Sequence, residues 1–278
     1  AKIEIESFAP SASTQPLSAQ MLESLEEKLR VAAKLLVPLM LIFGFGMEAK
    51  AEDLSVSVLQ EEYHQILQLE DRVEKAQEFS KLLQRYEQLA TEHPNSPELL
   101  TDWGNVALGS SDFGRAAFAY HKALALNPRL QRAKQNSLWI EAQLPDWAQS
   151  DRGSDALLWG EMLSEAERLV LATGIFILLI FLLRARRFSL AGIFALVWFS
   201  LILSVTMEQF VPAVAFVSKT EALLRTADSE GAGLVMSKEL PRGTKLTILN
   251  EQGDWIQVLL DSGEKGWLSV ERIRSSIE

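Results

Sequence analysis

Few residues of this 278-residue chain could carry catalytic or metal chemistry. It has three histidines, His64, His93 and His121, and no cysteine, which excludes thiolate metal sites, disulfides and a cysteine nucleophile. None of the histidines stands at metal-ligand spacing or pairs with a nucleophile. Phosphate-binding loops, dinucleotide-binding fingerprints and nucleophile elbows are also missing. We therefore expect a protein that is not an enzyme and uses no cofactor or metal.

The charge balance narrows the classes of partner. Asp and Glu number 37 against 27 Lys and Arg, a formal net charge of −10, and no basic footprint is present. Because binding to nucleic acid depends on neutralising phosphates with basic side chains, this balance argues against a nucleic-acid partner. Residues 52–168 alone hold 11 basic and 20 acidic residues, so a partner of this segment could be basic, although a solvated acidic face is the default.

Two apolar blocks predict a pair of membrane spans. Residues 169–183 and 188–207 form uncharged blocks of 15 and 20 residues, separated by Arg-Ala-Arg-Arg. The first is short for a hydrocarbon core of about 30 Å, so Arg168 and Arg184 are expected to extend outward to the polar surfaces. A buried hairpin in a soluble protein would need a large surrounding core. We therefore predict a transmembrane hairpin over 168–208.

The flanks of the hairpin predict its orientation. Arg184, Arg186 and Arg187 crowd one short loop, which the positive-inside rule places in the cytoplasm, so both flanks face outward. A third apolar block at 35–47 precedes Ala-Lys-Ala at 49–51, the pattern of a signal peptidase site. We expect 1–51 to be an N-terminal extension with a signal peptide, or an uncleaved anchor, with Met21 a candidate true start. Both arguments place residue 52 outside.

Residues 52–145 carry an internal repeat. Three markers recur 34 residues apart: Phe79 and Phe113, Tyr86 and Tyr120, Pro94 and Pro128. The second unit resembles a tetratricopeptide repeat (TPR) at nine packing positions: Leu100, Trp103, Gly104, Ala107, Phe113, Ala116, Tyr120, Ala123 and Pro128. We interpret 58–94 as a degenerate repeat that keeps only its second helix clearly. A third helix pair is expected from 130–144, followed by a polar linker over 146–167.

The TPR resemblance implies a concave groove that binds a peptide or helix. Asn105 matches the asparagine that many groove-binding members use to hold a ligand backbone, with Glu98, Thr101 and Leu108 on the same helix face. Thr101 stands where carboxylate-clamp members have a lysine, which argues against that class of ligand. A merely solvated role for Asn105 remains an equal alternative.

The segment 212–278 changes to a period of two, typical of strands. Turns are predicted at 250–253 and 261–263, between strands at 244–249, 254–260 and near 266–268. Alternation places one set of side chains on a common face, the expected core of a small barrel: Leu246, Ile248, Ile256 and Val258.

About 60 residues of this segment resemble a bacterial SH3-like domain. The match rests on Leu224-Arg225 after the first strand, a turn glycine at Gly243 and the Gly266-Trp267 pair. Trp255 and Trp267 are the candidate ligand contacts, with packing in the barrel core as the favoured alternative for both. The resemblance implies binding of cell-wall peptide or of partner peptides.

The predicted fold is a multidomain membrane protein with an all-α TPR-like repeat, a two-helix transmembrane hairpin and a small all-β SH3-like barrel. This order resembles the BatE-like proteins of the bacterial aerotolerance (Bat) operon family. That resemblance implies a noncatalytic scaffold in the bacterial inner membrane, with both soluble regions periplasmic. Its implied partners are membrane lipid and a hetero-oligomeric envelope complex containing von Willebrand A domain proteins and MoxR-type ATPases. A peptidoglycan-binding anchor that recruits cell-wall enzymes is the alternative.

Overall fold

The computed structural model describes residues 54–150, 159–160, 162–208, 210 and 212–275. The predicted signal segment and candidate start at Met21 lie outside this described part. Residues 54–278 form one compact unit. In chain order, that unit consists of a helical region, a hairpin of two apolar helices and a five-stranded antiparallel sheet.

The helical region holds five α-helices that pack in sequence. They are α1 (Leu54–Leu67), α2 (Arg72–Glu92), α3 (Pro97–Gly109), α4 (Phe113–Leu126) and α5 (Gln131–Gln143), followed by a 3₁₀ turn at Asp146–Ala148. The Asp71 carboxylate caps α2 by accepting from the backbone N–H groups of Val73 and Glu74 at 2.7 and 2.9 Å. Asp112 caps α4 in the same way, and Pro97 occupies the first turn of α3.

Where the helices cross, glycines pack against the aromatic residues of the repeat. A Cβ added to Gly104 on α3 would lie 2.5 Å from the Tyr120 ring of α4, and one on Gly109 would lie 2.7 Å from the Phe79 ring of α2. Phe79 and Tyr120 are both buried. Because neither glycine leaves room for a methyl group, the close approach of these helices depends on glycine at both positions.

The described helices differ from the predicted repeat boundaries in two places. The segment 58–94 contains both helices of a pair, α1 and α2, rather than a clear second helix alone. The predicted third pair over 130–144 is wrong, since this stretch forms the single helix α5. Pro145 ends that helix because it has no backbone N–H to donate to a carbonyl of the preceding turn.

The two apolar helices are α6 (Glu165–Arg184) and α7 (Phe188–Glu208), and both are long and apolar enough to span a membrane. At a rise of about 1.5 Å per residue, each is about 30 Å long. Helix α6 begins at Glu165, three residues before the predicted hairpin boundary, because a capping box at Ser164 and Glu167 starts it there. The added first turn holds Glu165, Glu167 and Arg168, so the uncharged part of α6 remains the predicted run at 169–183.

Arg168 does not extend outward as predicted. It is only 1% exposed, and its guanidinium donates to Ser204 Oγ at 2.8 Å and forms an ion pair with Glu208. Trp159 Nε1 similarly donates to Ser200 Oγ at 2.8 Å. Ser200 and Ser204 of α7 thus serve as hydrogen-bond acceptors for side chains that precede α7 in the chain.

The sheet has strands β1 (Val214–Val217), β2 (Lys245–Gln252), β3 (Trp255–Leu259), β4 (Lys265–Ser269) and β5 (Ile273–Ser275), in the order β4-β3-β2-β1-β5. Strand β2 runs beyond the predicted turn at 250, with a register irregularity between Ile248 and Asn250, and the turn is confined to Gly253 and Asp254. The predicted core face is confirmed: Leu246, Ile248, Ile256 and Val258 are all buried.

Strand β1 joins the sheet to the helical region. Ala215 and Val217 lie in the core of the sheet, while Val214 and Phe216 pack into the core of the helical region. Successive side chains of a strand point to opposite faces, so one four-residue strand contributes to two cores. The Phe216 ring lies 6.5 Å from Phe118.

A close backbone contact and a pair of side-chain hydrogen bonds reinforce this junction. A Cβ on Gly114, in the first turn of α4, would lie 2.1 Å from the Val217 carbonyl oxygen. Glu87 on α2 accepts from Arg274 of β5 at 2.7 Å and from Arg115 of α4 at 3.1 Å. Among the described residues, the helical region and the sheet therefore pack together as one body.

Candidate functional sites

The helical region contains a groove of about 700 Å³ between its alternate helices. Helices α1, α3 and α5 line it, with Tyr86 of α2 at its base. Its walls combine aromatic, amide and charged side chains: Gln60, Tyr63, His64, Tyr86, Glu98, Thr101, Asp102, Asn105, Leu130, Arg132 and Asn136. This composition suits an extended polar ligand better than a purely apolar one.

Asn105 is held at the centre of a hydrogen-bond network. Its Oδ1 accepts from the Tyr120 hydroxyl and from Asn136 Nδ2, each at 2.8 Å, and Asn136 also donates to the Tyr120 oxygen at 3.1 Å. Burial raises the pKa of the Tyr120 hydroxyl, so it stays protonated and donates. Because these two donors fix the amide, Asn105 presents its NH₂ group in one orientation along the groove wall.

Asp102 supplies a partly buried carboxylate to the same groove. Its Oδ2 accepts from Gln60 Nε2 at 3.1 Å. Burial raises the pKa of the Asp102 carboxyl, while the hydrogen bond from Gln60 and the charge of Arg132 act in the opposite direction. The raised pKa means that desolvation outweighs the stabilisation of the charge by its neighbours. A cation entering the groove would therefore find an incompletely compensated carboxylate.

The four predicted groove residues have different surroundings. Glu98 and Asn105 line the groove. Thr101 also reaches it but is 4% exposed, and its hydroxyl donates to the Pro97 carbonyl at 2.8 Å, so it packs within α3. Leu108, one turn beyond Asn105 toward the end of α3, packs against the core of the helical region and is not among the groove-lining residues.

Sequence reasoning missed the residues contributed by the neighbouring helices. Gln60, Tyr63 and His64 come from α1, which the repeat pattern left unclear, and Arg132 and Asn136 come from α5. Asp102 was missed although it adjoins predicted positions. The spacing from Glu98 through Asp102 to Asn105 is that of one helix face and was the available signal.

The nine predicted packing positions are largely interior. Six are at most 5% exposed, namely Leu100, Trp103, Ala107, Ala116, Tyr120 and Ala123. Gly104 is buried as well, and Phe113 and Pro128 are partly buried. Phe113 lies at the junction with the sheet, where the Arg242 guanidinium stacks 5.9 Å from its ring. These residues therefore hold the helices together rather than contact a ligand.

The outer face of the sheet carries both candidate tryptophans. Trp255 and Trp267 are partly buried, and they alternate with the buried Ile256 and Leu268. Packing in the barrel core, the favoured alternative, is wrong, because strand alternation directs both side chains away from that core. In the β3–β4 register Trp267 pairs with Gln257, so the two tryptophans share one face. That face is a candidate binding surface.

Two of the sequence matches to SH3-like domains, Leu224-Arg225 and Gly266-Trp267, lie next to each other in the structure. Arg225 and Trp267 exchange backbone hydrogen bonds of 2.9 and 2.8 Å, which cover the outer edge of β4. A Cβ on Gly266 would lie 2.5 Å from Leu224 Cγ, so glycine is needed there. Gly243 has φ +93°, a conformation that favours glycine, and a Cβ added there would lie 3.0 Å from Ile140 Cγ2 of α5. The structure thus gives a reason for each of the five residues on which the SH3-like resemblance rests.

The three histidines, the remaining side chains considered for catalytic or metal chemistry, lie in different parts of the helical region. His64 lies in the groove, His93 ends α2, and His121 contacts the Phe216 ring at 5.4 Å between centroids. Within the described ranges, no three His, Asp or Glu side chains are grouped so as to hold a metal ion. The three arginines Arg184, Arg186 and Arg187 lie at the turn between α6 and α7, at the far end of the hairpin from Arg168 and Glu208.

Comparison with known proteins identifies one domain. Residues 237–274 match the family model of the bacterial SH3 domain. The matched segment covers β2 to β5 and includes Gly243, Gly266 and Trp267, while Leu224 and Arg225 precede it. Neither the curated proteins nor the solved structures include a significant match. The sheet at the C-terminal end of this chain is accordingly similar to a bacterial SH3 domain over residues 237–274.

Proposed function

We propose that the protein is a noncatalytic, membrane-anchored adaptor that presents a TPR-like groove and a bacterial SH3 domain together on the outer face of the bacterial inner membrane. The observation that carries this is the shared core at β1, where Phe216 packs among the helices and Ala215 and Val217 pack in the sheet. Two candidate binding surfaces are thereby held in fixed geometry.

The apolar hairpin supports the membrane anchor. Helices α6 and α7 contact each other along their length but leave large apolar side chains exposed, including Ile180, Phe181, Leu196 and Phe199. Exposed side chains of this size in water would be costly, and lipid is the environment that suits them. The arginine turn between the helices favours the cytoplasm, and this supports a periplasmic location for the helical region and the SH3 domain.

A rigid pair of surfaces favours an adaptor that engages one complex twice. Once the first surface binds, the second faces its site at high effective concentration, and no linker entropy is lost because the two regions are already packed together. The resemblance to the Bat operon family suggests the complex: von Willebrand A domain membrane proteins and MoxR-type ATPases. This adaptor has no part in bond making or breaking.

Affinity purification from native membranes in mild detergent, with cross-linking and mass spectrometry, tests this proposal. We expect von Willebrand A proteins cross-linked to the groove of α1, α3 and α5 and to the outer face of the SH3 sheet. Recovery of cell-wall enzymes without any such protein would contradict the proposed complex.

A peptidoglycan-binding anchor is the second candidate, and the outward Trp255 and Trp267 favour it. Bacterial SH3 domains bind proteins or peptidoglycan, and two tryptophans on one face offer a stacking surface for wall sugar or peptide. Sedimentation with purified cell wall distinguishes the candidates. Binding that is lost in Trp255→Ala or Trp267→Ala, and kept in Trp139→Ala of α5, supports the anchor, whereas absence of wall binding in the unmodified chain leaves the adaptor.

A further inference from the structure

The groove of the helical region lies close to the polar end of the hairpin. Arg129, in the connection between α4 and α5, forms an ion pair with Glu167 in the first turn of α6. The next residue, Leu130, and Arg132 both line the groove. One lip of the groove is therefore within a few residues of the point where α6 begins.

A second, independent connection gives the same placement. Helix α7 ends at Glu208, and β1 begins at Val214, where it packs on the helical core. Six residues of extended chain reach about 20 Å at most. The ion pair between the buried Arg168 and the exposed Glu208 marks the polar end of the hairpin, because an ion pair is least costly at the edge of the hydrocarbon. Both connections keep the helical region close to that polar end.

The groove has the chemistry to hold a cationic side chain. Asp102 is partly buried and, among the described residues, accepts a single side-chain hydrogen bond, from Gln60. Glu98 adds a second carboxylate one turn earlier on α3, and Tyr63 contributes an aromatic wall. Carboxylates beside aromatic rings favour an ammonium or guanidinium group, through charge and through the electron-rich ring face. Arg132, at the start of α5, is positively charged, so the negative charge of the groove is concentrated on its α3 side.

We propose that this groove binds an extended juxtamembrane segment of an integral membrane partner, with a lysine or arginine of that segment against Asp102. This inference rests on the proposed membrane anchoring and deepens it by naming the class of partner. A segment that emerges from the same bilayer reaches the groove lip without a long linker, so its effective concentration is high. The ligand's cation adds to the charge that Arg132 already supplies near Asp102, and its backbone meets the oriented Asn105.

The test uses the full chain in lipid nanodiscs and a library of twelve-residue peptides tethered to the same lipid through a C-terminal acyl anchor. We expect the recovered peptides to be enriched in Lys or Arg at one position. Changing that residue to Gln in a recovered peptide should lower affinity by about tenfold, as expected for loss of a desolvated charge pair. Releasing the same peptide from its anchor should lower apparent affinity by a further factor of about ten or more.

Asp102→Asn should abolish the preference for a basic residue, since Asn keeps the shape and the bond from Gln60 but not the charge. Glu61→Gln, which removes an exposed carboxylate of α1 outside the groove, is the matched control and should keep it. Recovery of no peptide, equal recovery of basic and neutral peptides, or an unchanged preference in Asp102→Asn would overturn the inference. Flotation of the full chain with liposomes is measured separately. A chain that fails to float contradicts the membrane anchor, whereas a chain that floats and shows no basic preference contradicts this inference alone.

Discussion

Replacing Phe216 with alanine should separate the helical region from the SH3 domain without unfolding the latter. Phe216 is 6% exposed, and its ring contacts Phe118 of α4 at 6.5 Å and His121 at 5.4 Å between centroids. A buried Phe→Ala change costs about 3–5 kcal/mol, from lost transfer energy and the cavity left behind. The loss falls on the helical side, because Ala215 and Val217, which fill the core of the sheet, are unchanged.

Hydrogen exchange with mass spectrometry, on the full chain in nanodiscs, measures this effect by segment. A loss of about 3 kcal/mol corresponds to a faster opening of α4 by a factor of about 150 at 25 °C. The amides of β2 and β3 should keep most of their protection. Phe210→Ala is the control, because Phe210 is 81% exposed and its loss should change neither region. Unchanged exchange of α4 in Phe216→Ala would refute the shared core as the source of coupling.

Three further predictions concern the junction and the groove. Gly114→Ala should destabilise the chain by about 2 kcal/mol or more, since its Cβ would lie 2.1 Å from the Val217 carbonyl oxygen, whereas Gly192→Ala, with open space around it, should cause no loss. Glu87→Gln should cost about 1 kcal/mol in urea unfolding, and the difference from the unmodified chain should shrink at high salt. Asp102→Asn should raise the unfolding midpoint of the chain at neutral pH, because burial raises the folded-state pKa of the Asp102 carboxyl. Such a carboxyl adds stability that is complete below its unfolded-state pKa and is lost as the pH rises through its folded-state pKa. Replacing it with a neutral amide removes the cost of the buried charge at neutral pH. That gain should diminish on acidification through this range, and a gain that is equal at all pH values would contradict the burial argument.

The sequence predicts regular elements well where one physical signal dominates. Uninterrupted apolar runs identify α6 and α7, and alternation from Leu246 to Val258 identifies the core face of the sheet. These signals are local, so neither depends on knowing what lies across the contact.

Contacts between distant segments are what the sequence does not reveal. Arg168 was expected to extend outward, but Ser204 and Glu208 lie within reach on α7 and outweigh that tendency. The groove required α1 and α5 to be placed beside α3, which brings Gln60 to Asp102 across 42 residues of chain. The alternation of side chains also does not predict that β1 contributes to two cores. It shows that Phe216 points away from the core of the sheet, but not which residues cover it.

Labelling of single cysteines tests the central claim most directly. The natural sequence has no cysteine, so each introduced thiol reports one site without background. We would place one each at Ser80→Cys on α2, Ala185→Cys in the arginine turn and Ser262→Cys in the turn after β3, all exposed positions. A membrane-impermeant maleimide added to bacterial spheroplasts should label the first and third sites. The second should react only after the membrane is permeabilised. Labelling of Ala185→Cys in intact spheroplasts, or protection of either of the other two sites, would contradict an adaptor that holds both binding surfaces on the outer face.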